Sequence, residues 1–156
     1  MREKIYNNFI INIWIITSVV VFGIDQLVKN LLIEGLLSGQ MITDWLQIRL
    51  MFNRGIAFGM GEGWGLLISV FAFLIFVYFI FTNSAWWWGR VWTQMGVGMV
   101  LAGSFSNIVD RFRYAGGVVD YIDIKYYSVF NLADVFIFVG LCLLIWYYWK
   151  CSNFSK

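Results

Sequence analysis

Residues 130–149 read FNLADVFIFVGLCLLIWYYW. Coiled as a helix, this segment reaches about 30 Å, the thickness of a bilayer's hydrocarbon core. From Val135 to Trp149 no charge interrupts it, which does not suit a surface helix, whose apolar positions form a stripe. Yet the run opens on Asn131 and Asp134, three apart and so on one helix face. A carboxylate at the edge of hydrocarbon is costly, so its presence calls for a reason.

Three more segments read as membrane helices, giving spans at about 8–33, 64–82, 88–108 and 130–149. The third is the weakest, being rich in small residues. The whole chain agrees with this reading. Of its 156 residues 61% are hydrophobic and 13% charged, roughly half the charged share of a soluble domain, and the mean hydropathy is +0.75. The first segment, after MREK, resembles a secretory signal sequence, but no A-x-A site follows and the run continues into DQLVKN; we expect an uncleaved helix.

Basic residues sort the loops. Arg2, Lys4, Arg90, Lys150 and Lys156 fall at one side of the four spans, while Glu34, Asp44, Glu62, Asp110, Asp120 and Asp123 fall in the loops 34–63 and 109–129 at the other. The positive-inside rule makes both termini cytoplasmic. Trp86, Trp87 and Trp88 then share the cytoplasmic interface with Trp146, Tyr147, Tyr148 and Trp149, as an aromatic belt requires. In the first outer loop Leu46, Ile48, Leu50 and Phe52 alternate with Gln47, Arg49, Met51 and Asn53, which is strand periodicity; YIDIKYY alternates more briefly. The expected architecture is an all-α membrane protein, a four-helix transmembrane bundle in one domain, with a small extracytoplasmic β-sheet platform.

The chain lacks histidine, which removes most zinc and haem sites and every Ser-His or Cys-His arrangement; we expect neither metal nor cofactor. A net charge of +2 without a basic stripe gives no reason to expect nucleic acid. Cys142 and Cys151 read as small apolar residues.

The polar residues near the outer side fall into groups. Asp25 and Lys29, four apart, suit a structural ion pair on one helix face. Asn107, Asp110 and Arg111 close the third span as a polar knot, with Asp110 and Arg111 structural. Asp120 follows two valines and a pair of glycines, and Asp134 follows FNLA. Asp123 is expected to be a solvated loop acid. Two aspartates close together in a poorly solvated place hold one proton between them at neutral pH. Such a pair can activate water against an amide, and it can equally relay protons or cations through a membrane. Physics alone leaves these two readings level.

The motifs DQLVKN (25–30), NRGIAFG (53–59), NIVDR (107–111), GGVVDYI (116–122) and FNLAD (130–134), in that order between four spans, resemble those of the lipoprotein signal peptidase (signal peptidase II) family. The resemblance covers about residues 10–150. It implies a membrane aspartic endopeptidase of the bacterial inner membrane with its active site near the outer face. Such an enzyme removes the signal peptide of a prolipoprotein just before a diacylglyceryl-modified cysteine. It further implies Asp120 and Asp134 as the catalytic pair, with Asn53, Gly55, Asn107, Arg111, Asn131 and Ala133 toward the substrate. Asp25, Lys29 and Asp110 become structural polar residues. The partners implied are lipid-modified prolipoprotein signal peptides and membrane phospholipids, and the enzyme is expected to be a monomer. Two departures stand out: AGSFSN at 102–107 replaces the family's GGAxGN, and one extra residue lies between Asp110 and Asp120.

Overall fold

The computed structural model describes residues 13–36, 39–55, 63–83, 87, 90–115 and 117–154. The basic N-terminal residues, Glu62, Lys156, Trp86, Trp88, the IAFG of the second motif and the first glycine of GGVVDYI lie outside these. In chain order the elements are α1 (Ile13–Ile33), β1 (Gln40–Thr43), β2 (Leu46–Asn53), α2 (Gly65–Thr82), α3 (Val91–Arg113), β3 (Val118–Ile124), β4 (Val129–Phe130) and α4 (Leu132–Phe154). The four strands form one antiparallel sheet in the order β1-β2-β3-β4.

Among the described residues three helices are apolar and long enough to cross a membrane: α1, α2 and the Leu132–Ser152 part of α4. The fourth, α3, is the inner helix. It packs against each of the other three, so its polar and small residues face protein rather than lipid, and about half of its residues are buried. Between lipid-embedded helices the hydrophobic effect offers little, and association rests on close backbone approach at small residues. The α3–α4 seam follows that rule. A Cβ on Gly96 would lie 2.9 Å from the Gly140 carbonyl oxygen, and a Cβ on Gly140 2.7 Å from that of Gly96. Toward the sheet, a Cβ on Gly103 would lie 2.6 Å from the Ala133 carbonyl oxygen.

Helix α2 is the outlier. Only Gly65 and Ile80 along it are buried, and it leaves a groove on each side. One, of about 460 Å³, runs between α1 and α2 past Phe22, Phe73 and Phe105. The other, of about 690 Å³, lies between α2 and α4 past Phe76, Trp87 and Tyr148. At the end remote from the sheet the Arg90 guanidinium sits 5.9 Å from the Tyr147 ring centre and the Lys150 ammonium 5.3 Å from that of Trp146. Cations and rings thus gather there as the sequence leads one to expect.

The strand expected in the loop 34–63 is β2, but its single greasy face is not kept. A bulge between Ile48 and Met51 slips the register by one, so Met51 rather than Leu50 pairs with Asp120. One extra residue turns every later side chain to the other face. Phe52 is therefore exposed, its ring tilted against that of Tyr114 with centres 5.5 Å apart. The second strand begins earlier than the alternation of YIDIKYY suggests, at Val118, and Tyr126 lies in the turn that follows it. Buried along most of its length, β3 is a central strand rather than a half-exposed one. The third helix also runs five residues past its expected end, so Asp110 and Arg111 belong to its last turns. The turn that follows places Ala115 at φ 51°, a left-handed conformation that usually favours glycine.

The close α3–α4 seam yields a test. Gly96→Val should lower the thermal unfolding midpoint of detergent-purified protein by about 5 °C or more. Leu67→Val, on an exposed position of α2, should leave it unchanged.

Candidate active site

The polar residues of separate motifs converge where the sheet meets the bundle. Asp120 lies on β3 and is 2% exposed. Its Oδ2 accepts from Asn53 Nδ2 at 3.0 Å and its Oδ1 from Asn131 Nδ2 at 2.8 Å. Asp134 sits in the first turn of α4. Its Oδ1 accepts from Asn107 Nδ2 at 2.8 Å and its Oδ2 from the backbone N–H of Asn131 at 3.2 Å. The N–H of Asp134 in turn donates to Asn131 Oδ1 at 2.9 Å. This reciprocal exchange is a capping box with aspartate in the place usual for glutamate. It explains locally why the helix starts at Leu132. Asn131 is fully buried and touches both carboxylates, so the two acids brought from β3 and α4 share one neighbour, and the charge of Asp134 is felt at Asp120.

Each asparagine in this group has its amide orientation set by a group that can only donate. Asn53 Oδ1 accepts the Gly55 N–H at 3.0 Å, Asn131 Oδ1 accepts the Asp134 N–H, and Asn107 Oδ1 accepts from Lys29 Nζ at 3.0 Å. Their NH₂ groups are thereby all turned toward the two aspartates. Arg111, 5% exposed, donates from Nη2 to the Gly55 carbonyl oxygen at 2.7 Å and packs its Nη1 against Gly65. It ties the 53–55 segment to the start of α2 and lies within the electrostatic reach of Asp120, Asp134 and Asp110. Ala133 is buried, its N–H donating to Asp25 Oδ1 at 2.9 Å.

The structural polar residues form a second layer directly beneath. Lys29, 1% exposed, pairs with Asp25 at 2.6 Å and with Asp110 at 2.8 Å. The expected i, i+4 pair is present, but it has a third member. Around it stand residues that were not among the expected site residues, although Ser106 lies in the departing stretch AGSFSN. Ser106 donates to Asp25 Oδ2 at 2.6 Å, and Gln26 donates to Ser106 at 2.8 Å and to Asp110 Oδ1 at 2.9 Å. Tyr121 is buried, its hydroxyl oxygen accepting the Leu132 N–H at 3.2 Å. Gln26 follows Asp25 directly and Ser106 precedes Asn107, so adjacency to flagged residues was the available signal. Tyr121 had none.

Asp123 is not a solvated loop acid. It is 8% exposed, accepts from Gln47 Nε2 at 2.7 Å and pairs with Arg49 Nε at 2.8 Å. Strand pairing places Gln47 directly opposite it, which removes it from water. Among the described residues no group of three or more His, Cys, Asp and Glu side chains is arranged to hold a metal ion.

Burial pushes the Asp120 carboxyl up to about 7. The hydrogen bond from Asn53 opposes this, the Asp134 charge adds to it, and the Asn131 bond and the Lys29 charge oppose it. Burial likewise pushes the Tyr121 hydroxyl above the usual tyrosine range, so it stays protonated at neutral pH.

Residues 17–150 match the family described as signal peptidase (SPase) II. The lipoprotein signal peptidase of Halothermothrix orenii is 34% identical over 143 residues, covering 86% of this chain and 94% of its own. That of Wolinella succinogenes is 37% identical over 140 residues, covering 82% and 87%. Two solved bacterial membrane enzymes superpose with TM-scores of 0.76 and 0.69, each 27% identical, covering 92% and 85% of this chain and 91% and 89% of theirs.

The position of Asp120 is open to spectroscopic titration. The folded state binds its proton more tightly than the unfolded chain does. Its contribution to stability is therefore complete below the ordinary carboxylate range and is lost as pH rises through about 7. Infrared spectra of the reconstituted protein should show a protonated-carboxyl band that fades as pH rises through about 7 in the wild type and is weakened in Asp120→Asn.

Proposed function

The chain belongs to the signal peptidase II family, and from that membership we propose that it is a membrane aspartic endopeptidase acting on bacterial prolipoproteins. It cleaves before the diacylglyceryl-modified cysteine, with Asp120 and Asp134 as the catalytic pair. The observation that carries the mechanism is the sharing of Asn131. One buried amide donates to Asp120, while the backbone N–H of the same residue donates to Asp134.

Two buried carboxyls that share a partner and feel each other's charge retain one proton between them at neutral pH and titrate as a unit. The ionised member takes a proton from water as the water oxygen attacks the scissile carbonyl. The protonated member donates a hydrogen bond to that carbonyl oxygen as negative charge develops on it. When the tetrahedral intermediate collapses, the C–N bond breaks and the departing amine receives the proton. The asparagine NH₂ groups remain donors throughout, so they stabilise the negative charge of the pair in every state. The Asn53–Gly55 segment, held by Arg111, is placed to receive the substrate backbone beside Asp120. Gly55 offers no side-chain bulk at that place, and Ala133 none at the start of α4 beside Asp134.

Loop charge orients the chain with both termini in the cytoplasm and the sheet at the outer face of the inner membrane. The bond to be cut is thus met at the boundary where water and lipid are both within reach. Lateral approach of the signal helix is supported by the isolation of α2, beside which grooves open to the lipid. The enzyme works as a single domain and as a monomer with no cofactor.

With purified protein and a diacylglyceryl-modified precursor, Asp120→Asn and Asp134→Asn should each lower the cleavage rate by about 10³-fold or more while the protein remains folded. Near-normal processing by either variant would remove the pair from the mechanism. Asp123→Asn should cleave at close to the wild-type rate, because its partners Gln47 and Arg49 are separate from the pair.

A further inference from the structure

The ammonium of Lys29 has three protons and meets three acceptors at once: Asp25 Oδ2 at 2.6 Å, Asp110 Oδ2 at 2.8 Å and Asn107 Oδ1 at 3.0 Å. None of its donors is left over. An i, i+4 ion pair that merely steadied α1 would need only the first of these.

Each acceptor passes the constraint onward to the aspartate pair. The other oxygen of Asp25 accepts the N–H of Ala133, the residue before Asp134. Asp110 Oδ2 also accepts the N–H of Val119, the residue before Asp120, at 3.2 Å. Asn107, its oxygen turned to the ammonium, gives its NH₂ to Asp134. One buried cation therefore grips both backbones at the position just ahead of each reacting carboxylate, and orients a donor to one of them as well. A buried ionic cluster is a poor way to gain stability, since apolar residues of like volume usually serve as well or better. Conformational precision is what it offers instead.

From this we infer that Lys29 is a positioning residue for the hydrolytic step, setting the separation and orientation of Asp120 and Asp134 through Asp25, Asp110 and Asn107. The inference rests on the reading of those two aspartates as the reacting pair. Ser106 supports the same device. Its hydroxyl braces the Asp25 oxygen that faces Lys29.

The test compares kcat and KM for a diacylglyceryl-modified precursor among wild type, Lys29→Arg, Ser106→Ala and Asp120→Asn. Arginine keeps the charge but cannot place three donors on one atom at that point. The expected result is a fall in kcat of about 100-fold for Lys29→Arg, with KM within about threefold of wild type. Ser106→Ala should lose about tenfold in kcat at unchanged KM. A folded Lys29→Arg protein whose kcat stays within about twofold of wild type, or whose loss lies mainly in KM, overturns the inference. Should that variant fail to fold, Ser106→Ala decides, and a kcat within about twofold of wild type overturns it. Asp120→Asn keeps the two readings apart. If it is inactive while Lys29→Arg is normal, only the positioning role falls. If it is active, the aspartate pair itself falls.

Discussion

A lysine ammonium cannot be left without partners in a place that water does not reach, because its desolvation costs several kcal/mol even after the surroundings relax. In this protein that place is the centre of the bundle at the sheet end. Lys29 on α1 draws Asp110 from α3 as well as Asp25 from its own helix, and the carboxylates so gathered reach on to the backbones of β3 and α4. Four elements distant in sequence are thus referred to one charged atom. The geometry around Asp120 and Asp134 follows from that reference point more than from either strand or helix alone.

The bundle supplies the rest of the precision by letting backbones meet. Glycines at 96, 103 and 140 bring α3 and α4 into contact that admits no Cβ, so the first turn of α4 cannot slide relative to the end of α3. The capping exchange between Asn131 and Asp134 then sets that turn's own conformation. Close packing is concentrated among α1, α3 and α4, while α2 meets the bundle mainly through α3 and has a groove on each flank. In the proposed function this division is useful. The reacting groups need to be held within a fraction of an ångström, whereas a helical substrate arriving through lipid needs a side of the bundle that is not closed.

The asparagines show how neutral groups can govern charged ones. Each presents its NH₂ to a carboxylate because its oxygen is claimed by a group with no acceptor capacity, whether backbone N–H or ammonium. Donors of that kind partly offset the burial that pushes Asp120 to about 7. The site therefore keeps a proton available near neutrality without any histidine in the chain.

Read alone, the amino-acid sequence determined that the chain is a membrane protein with four helices and a small sheet, and marked Asp120, Asp134, Asn107 and Asn131 as polar residues in need of a reason. Apolar run length, alternation and loop charge are local properties, so no folded coordinates were required for them. What only the tertiary structure decided lies in pairings across long stretches of chain. The bulge in β2 that turns Phe52 outward, the burial of Asp123 beneath Gln47 and Arg49, and the inward place of α3 all depend on which surface meets which. The same holds for Lys29, whose second carboxylate comes from a helix about eighty residues away. Spacing of four announced its pairing with Asp25. Nothing local announced Asp110, because a buried charge chooses its partners by distance in space, and distance in space is settled only when the helices have packed.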